Sequence, residues 1–223
     1  MSQGRWEKES LERPVTTRGQ LLVEGKVPGM FFREMIIAYG LTKLVEVRTF
    51  GDISKNNLQT YLEIFTAKAV FKERVKALGV IRDAETKPAD SAFQSVCGAL
   101  RGAKLSAPAG FGRFEREPLA VGVFILPNCR DAGMLETLCL QAAENVEQAS
   151  GSKLLPCVDE FFACLEKRGQ VPANPQKARF AGYALAQDII DPQLGRAAQQ
   201  GKIPWVSPAF NLWKEFLNQF VEK

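Results

Sequence analysis

The chain contains no histidine among its 223 residues. That absence excludes Ser-His-Asp and Cys-His catalysis, His-ligated zinc and the His-Glu-x-x-His metalloenzymes. Any general acid or base must therefore be Glu, Asp, Lys, Tyr, Cys or a metal-bound water. An apolar run of the roughly 18–20 residues needed to cross a bilayer is also missing. The stretch from Met1 to Arg18 is polar and charged and has no apolar centre of a secretory signal. No Gly-x-x-x-x-Gly-Lys-Ser/Thr loop occurs, so the chain carries no P-loop ATPase of its own. The five cysteines, Cys97, Cys129, Cys139, Cys157 and Cys164, are odd in number and form no Cys-x-x-Cys pair. That usage points to free thiols, mostly buried, in a reducing compartment, and so to a cytoplasmic protein without a zinc cluster. There is no basic tail, internal repeat or low-complexity linker.

What is present suits one folded unit. Hydrophobic residues make up 46% of the chain, enough for a substantial core, and charged residues an ordinary 24%. Net charge is +4, compatible with a nucleic-acid partner but shared by many proteins that have none. The expected organisation is a flexible leader over 1–17 and a single α/β domain over 18–223, whose portion from about 152 onward is helical.

Apolar runs and helical periodicities alternate along the chain. Leu21 to Val23, Val45 to Phe50, Leu78 to Ile81 and Leu119 to Leu126 read as strands. Val27 to Ala38 reads as a helix with Pro28 in its first turn and Gly40 as its stop. Helices are expected from Asn57 to Leu62, capped by Ser54 or Asn56, and from Ala67 to Lys76. Others are expected from Asp90 or Ser91 to Gly102 and from Gly133 to Gln148. Ser106 to Pro118, rich in Gly, Pro and Arg, reads as an irregular or hairpin segment. The alternation predicts a mostly parallel sheet with helices on both faces and right-handed crossovers. Further helices follow over Pro156 to Lys167, Pro175 to Asp188 and Pro208 to Phe220. The stripe Trp205, Phe210, Trp213, Phe216 and Phe220 is expected to pack on the α/β core rather than to stack bases.

The chemistry sits at two strand ends. Glu24 closes the first strand, and Gly25 lets the backbone turn sharply beside it. Asp83 and Glu85 follow the third strand. In a parallel sheet these ends share one edge, where ligands of open α/β sheets bind. Converging carboxylates repel, so they require a cation or raised pKa values. Their hard oxygens suit Mg²⁺ or Mn²⁺, an ion that clamps phosphate and activates water. Glu136, near the start of the helix after the fourth long strand, either complements the helix dipole or adds a fourth acid to the same edge. For Glu24 alone, the plain alternative is an ion pair with Lys26 or Arg82.

The runs Val23-Glu24-Gly25 and Asp83-Ala84-Glu85, each after an apolar strand, resemble the Toprim domain. That domain is shared by topoisomerases, bacterial primases, recombination mediators and the overcoming-lysogenization-defect (OLD) nucleases. The closer resemblance is to stand-alone Toprim-like proteins of unknown function related to the OLD-type domains. It extends over most of residues 18–220, through Phe50-Gly51-Asp52 with Lys55-Asn56-Asn57, Gly133 to Leu138, and Asn174 to Arg179. The resemblance implies a Rossmann-like Toprim sheet, Glu24 as general acid/base or metal ligand, and Asp83 with Glu85 as magnesium ligands. Two departures stand out: Glu85 replaces the second Asp of the family pair, and Val27-Pro28 stands where relatives often carry acids.

Two functions follow as expectations. One is magnesium- or manganese-dependent phosphoryl transfer on nucleic acid, most simply phosphodiester cleavage. Glu24, Asp83 and Glu85 would hold the metal, Glu136 would assist, and Lys177 or Arg179 would neutralise phosphate, with Lys26, Lys55 and Arg82 positioning the backbone. The other is a non-catalytic module that binds nucleic acid or a protein partner, such as a separately encoded ATPase.

Overall fold

A computed structural model describes residues 10–51, 57–117 and 119–220. Among them, five strands form one sheet in the order β2-β1-β3-β5-β4. These are β1 (Gly19–Glu24), β2 (Val45–Phe50), β3 (Ala77–Asp83), β4 (Phe114–Glu115) and β5 (Ala120–Leu126). β1 pairs parallel with β2 and β3, and β3 parallel with β5; only β4 runs antiparallel, against β5. The expected mixed α/β architecture with a mostly parallel sheet is therefore present.

The strands read as nearly unbroken apolar runs because both faces of the sheet are covered. Alternate residues serve opposite cores. Leu21 and Val23 of β1 join one cluster and Leu22 the other; Phe124 and Leu126 of β5 face the first, and Val121, Val123 and Ile125 the second. The second core is closed by α2 (Asn57–Ala67), α3 (Ala69–Arg74) and α4 (Ala89–Gly102). The first is closed by α1 (Lys26–Ala38), α5 (Leu135–Ser150), α6 (Leu154–Glu166), α7 (Pro175–Leu185), α8 (Leu194–Gln199) and α9 (Asn211–Asn218). A 3₁₀ turn, Pro208–Phe210, leads into α9. From β1 the chain crosses to β2 on one side and later returns to β3 on the other. Right-handed crossovers running in opposite directions put their helices on opposite faces, as α1 of the first and α2 with α3 of the second are.

Several expectations shift by a few residues. The helix expected from Asn57 to Leu62 continues to Ala67, because Leu62 and Phe65 extend its buried face; extended backbone at Lys68 separates it from α3. The Gly/Pro/Arg-rich segment contributes β4, whose Phe114 ring lies where a side chain on Gly122 would be, 2.5 Å from that glycine's ideal Cβ position. α8 was not expected: it is short and glycine-containing, and its Gly195 lets it approach α1 at Met30. The caps expected at Ser54 or Asn56, and the loop residues Asp52 and Lys55, lie outside the described residues.

The aromatic stripe is core. Phe210, Trp213 and Phe216 are fully buried, and Trp213 stacks on Phe124 with centroids 4.0 Å apart. All five cysteines are free; Cys97 and Cys139 are buried and Cys129 partly so, whereas Cys157 and Cys164 are exposed on α6, contrary to the expectation of mostly buried thiols.

Residues 10–17, expected to belong to the flexible leader, are instead packed on the domain. Within 10–17, Ser10, Val15 and Thr17 are buried. The anchor is Arg48 of β2, itself fully buried. Its Nε donates to Gln20 (2.6 Å), its Nη1 to the carbonyls of Ser10 (2.6 Å) and Arg13 (3.0 Å), and its Nη2 to the Pro14 carbonyl (2.7 Å) and Glu46 (3.1 Å). The Thr49 amide donates to Ser10 Oγ (3.1 Å), so the segment also occupies part of the outer edge of β2. Among the described residues, no helix is long and apolar enough to cross a membrane.

Candidate functional site

The strand order reverses at β1, so the carboxyl ends of β1 and β3 flank a topological switch point, the usual ligand crevice of an open α/β sheet. Glu24 is the last residue of β1 and Asp83 the last of β3. Gly25 makes the turn out of β1 at φ 84°, a conformation that penalises any side chain, and its amide donates to the Phe50 carbonyl at 2.7 Å. α1 starts at the next residue.

β3 is prolonged by one further bond, from the Ala84 amide to the Leu126 carbonyl (3.1 Å). Glu85 then adopts φ 61° and exchanges both backbone hydrogen bonds with Gly133, each 2.8 Å. This isolated bridge fastens the loop after β3 to the loop before α5. In the latter loop, Asn128 Oδ1 accepts from the amides of Arg130 (3.2 Å) and Asp131 (2.9 Å). The amide of Leu135, the first residue of α5, donates to Asp83 Oδ1 at 3.0 Å. Asp83 is therefore an N-cap supplied from a distant strand, placed against the positive end of the helix dipole.

Glu136 follows in the first turn of α5. α7 begins beside it: Asn174 caps α7 by accepting from the Lys177 amide at 3.0 Å, and its Nδ2 lies 3.8 Å from Met134 Sδ. The result is one electrostatic group of Asp83, Glu85, Glu136 and Lys177. Burial, followed by the charges of Glu136 and Glu85, pushes Asp83 from the usual 3.8 to about 7, against the Leu135 amide and Lys177, which pull it down. Burial likewise raises Glu136, with Glu85 adding to the effect and its own backbone amide and Lys177 opposing it. Both carboxyls thus hold their protons more tightly than usual, first through burial and then through neighbouring acids.

Glu24 ends the adjacent strand, on the sheet face of Leu22 rather than that of Ile81 and Asp83, and is held by a different partner. It is exposed, and its Oε2 lies 3.3 Å from Arg82 Nε, which its place in the β1–β3 register makes its neighbour. Arg82 also donates to Ser95 Oγ at 3.0 Å. The ion-pair alternative for Glu24 is thus present. Arg179 is committed elsewhere, bonded to both oxygens of Asp159 (2.6 and 2.8 Å) and to Glu144 (3.1 Å). Lys177 is the basic residue of that segment that acts on the acids. Among the described residues, no group of three or more carboxylates or thiols is gathered closely enough to form a ready metal cage. The helix-capping role of Asp83 and the Glu85–Gly133 bridge were missed in the sequence; Gly133, at φ 143°, was the available signal.

No curated protein and no solved structure matches this chain. The family model described as "Protein of unknown function (DUF3226)" matches residues 18–222.

Proposed function

The chain belongs to this DUF3226 family, whose function is unknown; from the strand-end acids we propose that it is a Toprim-like protein carrying out magnesium- or manganese-dependent phosphoryl transfer on nucleic acid, as a phosphodiester-cleaving nuclease. The observation that carries the reading is the meeting of Asp83, Glu85, Glu136 and Lys177 at the carboxyl end of β3, with Glu24 at the end of the neighbouring strand β1. The donor chemistry fits a hard divalent cation: every candidate ligand is a carboxylate, and a cation offsets both the burial and the neighbouring negative charges that raise Asp83. Magnesium is commonly held by only one or two carboxylates, with waters and substrate phosphates completing its shell, so the absence of a three-acid cage is no obstacle.

Asp83 with Glu85 or Glu136 would hold the ion, and Glu24 would join once released from Arg82. The bound ion would supply charge neutralisation at phosphate and acidify a water. Lys177 offers a positive charge to a phosphate oxygen, and Arg82, freed from Glu24, a second. Glu136, whose proton burial holds more tightly than usual, would serve in proton transfer.

The Glu24–Arg82 ion pair favours a second reading, a binding module in which the acids are structural and a partner protein or nucleic acid is held without cleavage. Calorimetric titration with Mg²⁺ and Mn²⁺, followed by cleavage assays on single- and double-stranded DNA and RNA, separates the two. The nuclease reading expects saturable metal binding that is lost in Asp83→Asn. It also expects cleavage that falls about 100-fold or more in Asp83→Asn and Glu24→Gln. Nucleic-acid binding that is indifferent to both substitutions, with no metal binding at millimolar concentration, would establish the module instead.

A further inference from the structure

At the amino end of β2, away from the carboxylate edge, Arg13, Pro14, Thr16, Thr17, Arg33, Ile36, Ile37, Thr42 and the stretch Val45–Val47 line an open cavity of about 450 Å³. Two guanidinium groups, Arg13 and Arg33, and one carboxylate, Glu46, line it; Arg48 is bonded to Glu46 but is not part of the lining. That carboxylate is already fully used. Its Oε1 accepts from Arg48 (3.1 Å), and its Oε2 from Gln20 Nε2 (3.2 Å) and the Thr16 amide (3.3 Å). Arg48 has every donor engaged and belongs to the N-terminal anchor. Arg13 and Arg33 do not. Arg13 is partly engaged: its Nη2 donates to the Val47 carbonyl and it forms an ion pair with Glu46, but its buried Nε, 3.2 Å from Glu46 Oε1, is not aligned to donate; Arg33 Nε is buried with no acceptor among the described residues. The two cations also act on each other: after burial, the charge of Arg13 is the next largest influence lowering the pKa of Arg33.

Buried donors without acceptors are rare in folded proteins, and two cations facing one cavity with no free counter-charge are a cost to the fold. An anion relieves both, since guanidinium groups bind phosphate and carboxylate oxygens through paired N–H bonds. The cavity is too large for a bare ion and lies within the range of small-ligand sites, about 300–1,000 Å³. Its remaining walls are aliphatic, from Ile36, Ile37, Val45 and Val47, with threonine hydroxyls between. We propose that this cavity binds a small organic anion, a phosphate or carboxylate head on a compact apolar body, with Arg13 and Arg33 holding the head. The site is independent of the carboxylate edge.

Calorimetry with phenyl phosphate and with benzoate tests it on the full chain. The expected result is saturable binding of at least one, weakened on the order of tenfold or more in Arg33→Gln and unchanged in Asp83→Asn. Whichever probe binds more tightly identifies the head group. Ile37→Glu is the second variant: Ile37 is exposed at the rim, one helical turn from Arg33, so a carboxylate there competes for the guanidinium without disturbing the core. It should raise the melting temperature slightly and weaken the probe to the same extent as Arg33→Gln. No saturable binding of either probe at about 10 mM overturns the proposal. So does binding that is equal in wild type and Arg33→Gln, or binding lost only in Asp83→Asn.

Discussion

Asp83 is the residue on which the candidate site turns, because one side chain caps α5 and also faces two acids. Its raised pKa has a stability consequence with a definite sign. The unfolded carboxyl loses its proton near 3.8 and the folded one only near about 7, so between those values the folded state binds more protons. Stability in metal-free buffer therefore falls as pH rises through that window, instead of rising as it does for a salt-bridged carboxylate. Glu136 contributes with the same sign. Asp83→Asn keeps an oxygen for the Leu135 amide and removes the charge. We expect it to flatten the decline and to gain about 1–3 kcal/mol at pH 7.5, read by urea unfolding at several pH values in EDTA. A variant less stable than wild type at pH 7.5 would show that the cap outweighs the repulsion.

Between elements, the determining contact is the close approach of the C-terminal segment to the sheet. Phe220, just after α9, lies against Gly79 in the middle of β3: a Cβ there would be 2.6 Å from the ring, and one on Gly19 would be 2.7 Å from it. Two glycines in neighbouring strands thus form the seat of one phenylalanine. Gly79→Ala should cost about 1–3 kcal/mol through overpacking. Combined with Phe220→Ala, it should show a favourable coupling of about 0.5–3 kcal/mol in a double-mutant cycle. Strictly additive costs would mean that the ring moves aside freely. The same logic explains why α9 was legible as an amphipathic, aromatic helix while its docking place was not: periodicity identifies a buried face but not the surface it meets.

For the whole molecule, the sheet needs its β2 edge closed, and the chain closes part of it with its own N-terminal segment. Arg48 is the fastener, binding three carbonyls of residues 10–14 from a fully buried position over the Phe65 ring. Arg48→Ala leaves Glu46 without one of its main partners and three carbonyls without a donor. We expect a loss of about 3–5 kcal/mol in chemical unfolding, with earlier proteolysis near residues 10–17. An unchanged unfolding midpoint would mean that the segment contributes nothing to the fold. The carboxylate edge lies at the opposite end of β2 from this segment's arginine-lined cavity, so the two candidate sites can be tested separately.

The sequence by itself determined the alternation of strands and helices, the parallel sheet and the delivery of Glu24 and Asp83 to strand ends. Each of these is local: apolar runs, helical periodicity and turn residues act over a few positions. It also placed Glu136 and Lys177 at helix starts, through Gly133-Met134-Leu135 and Asn174-Pro175. Only the tertiary structure decided which partners those residues take. Asp83 meets Leu135 and Glu136 some fifty residues away, Glu24 goes to Arg82, and Arg179 is withdrawn to Asp159 and Glu144. Arg13 and Arg33 are unremarkable in the chain and line one cavity only when α1, β2 and the N-terminal segment converge. Electrostatic partners are set by distance in space, and that distance depends on strand order and helix docking, which no local pattern encodes.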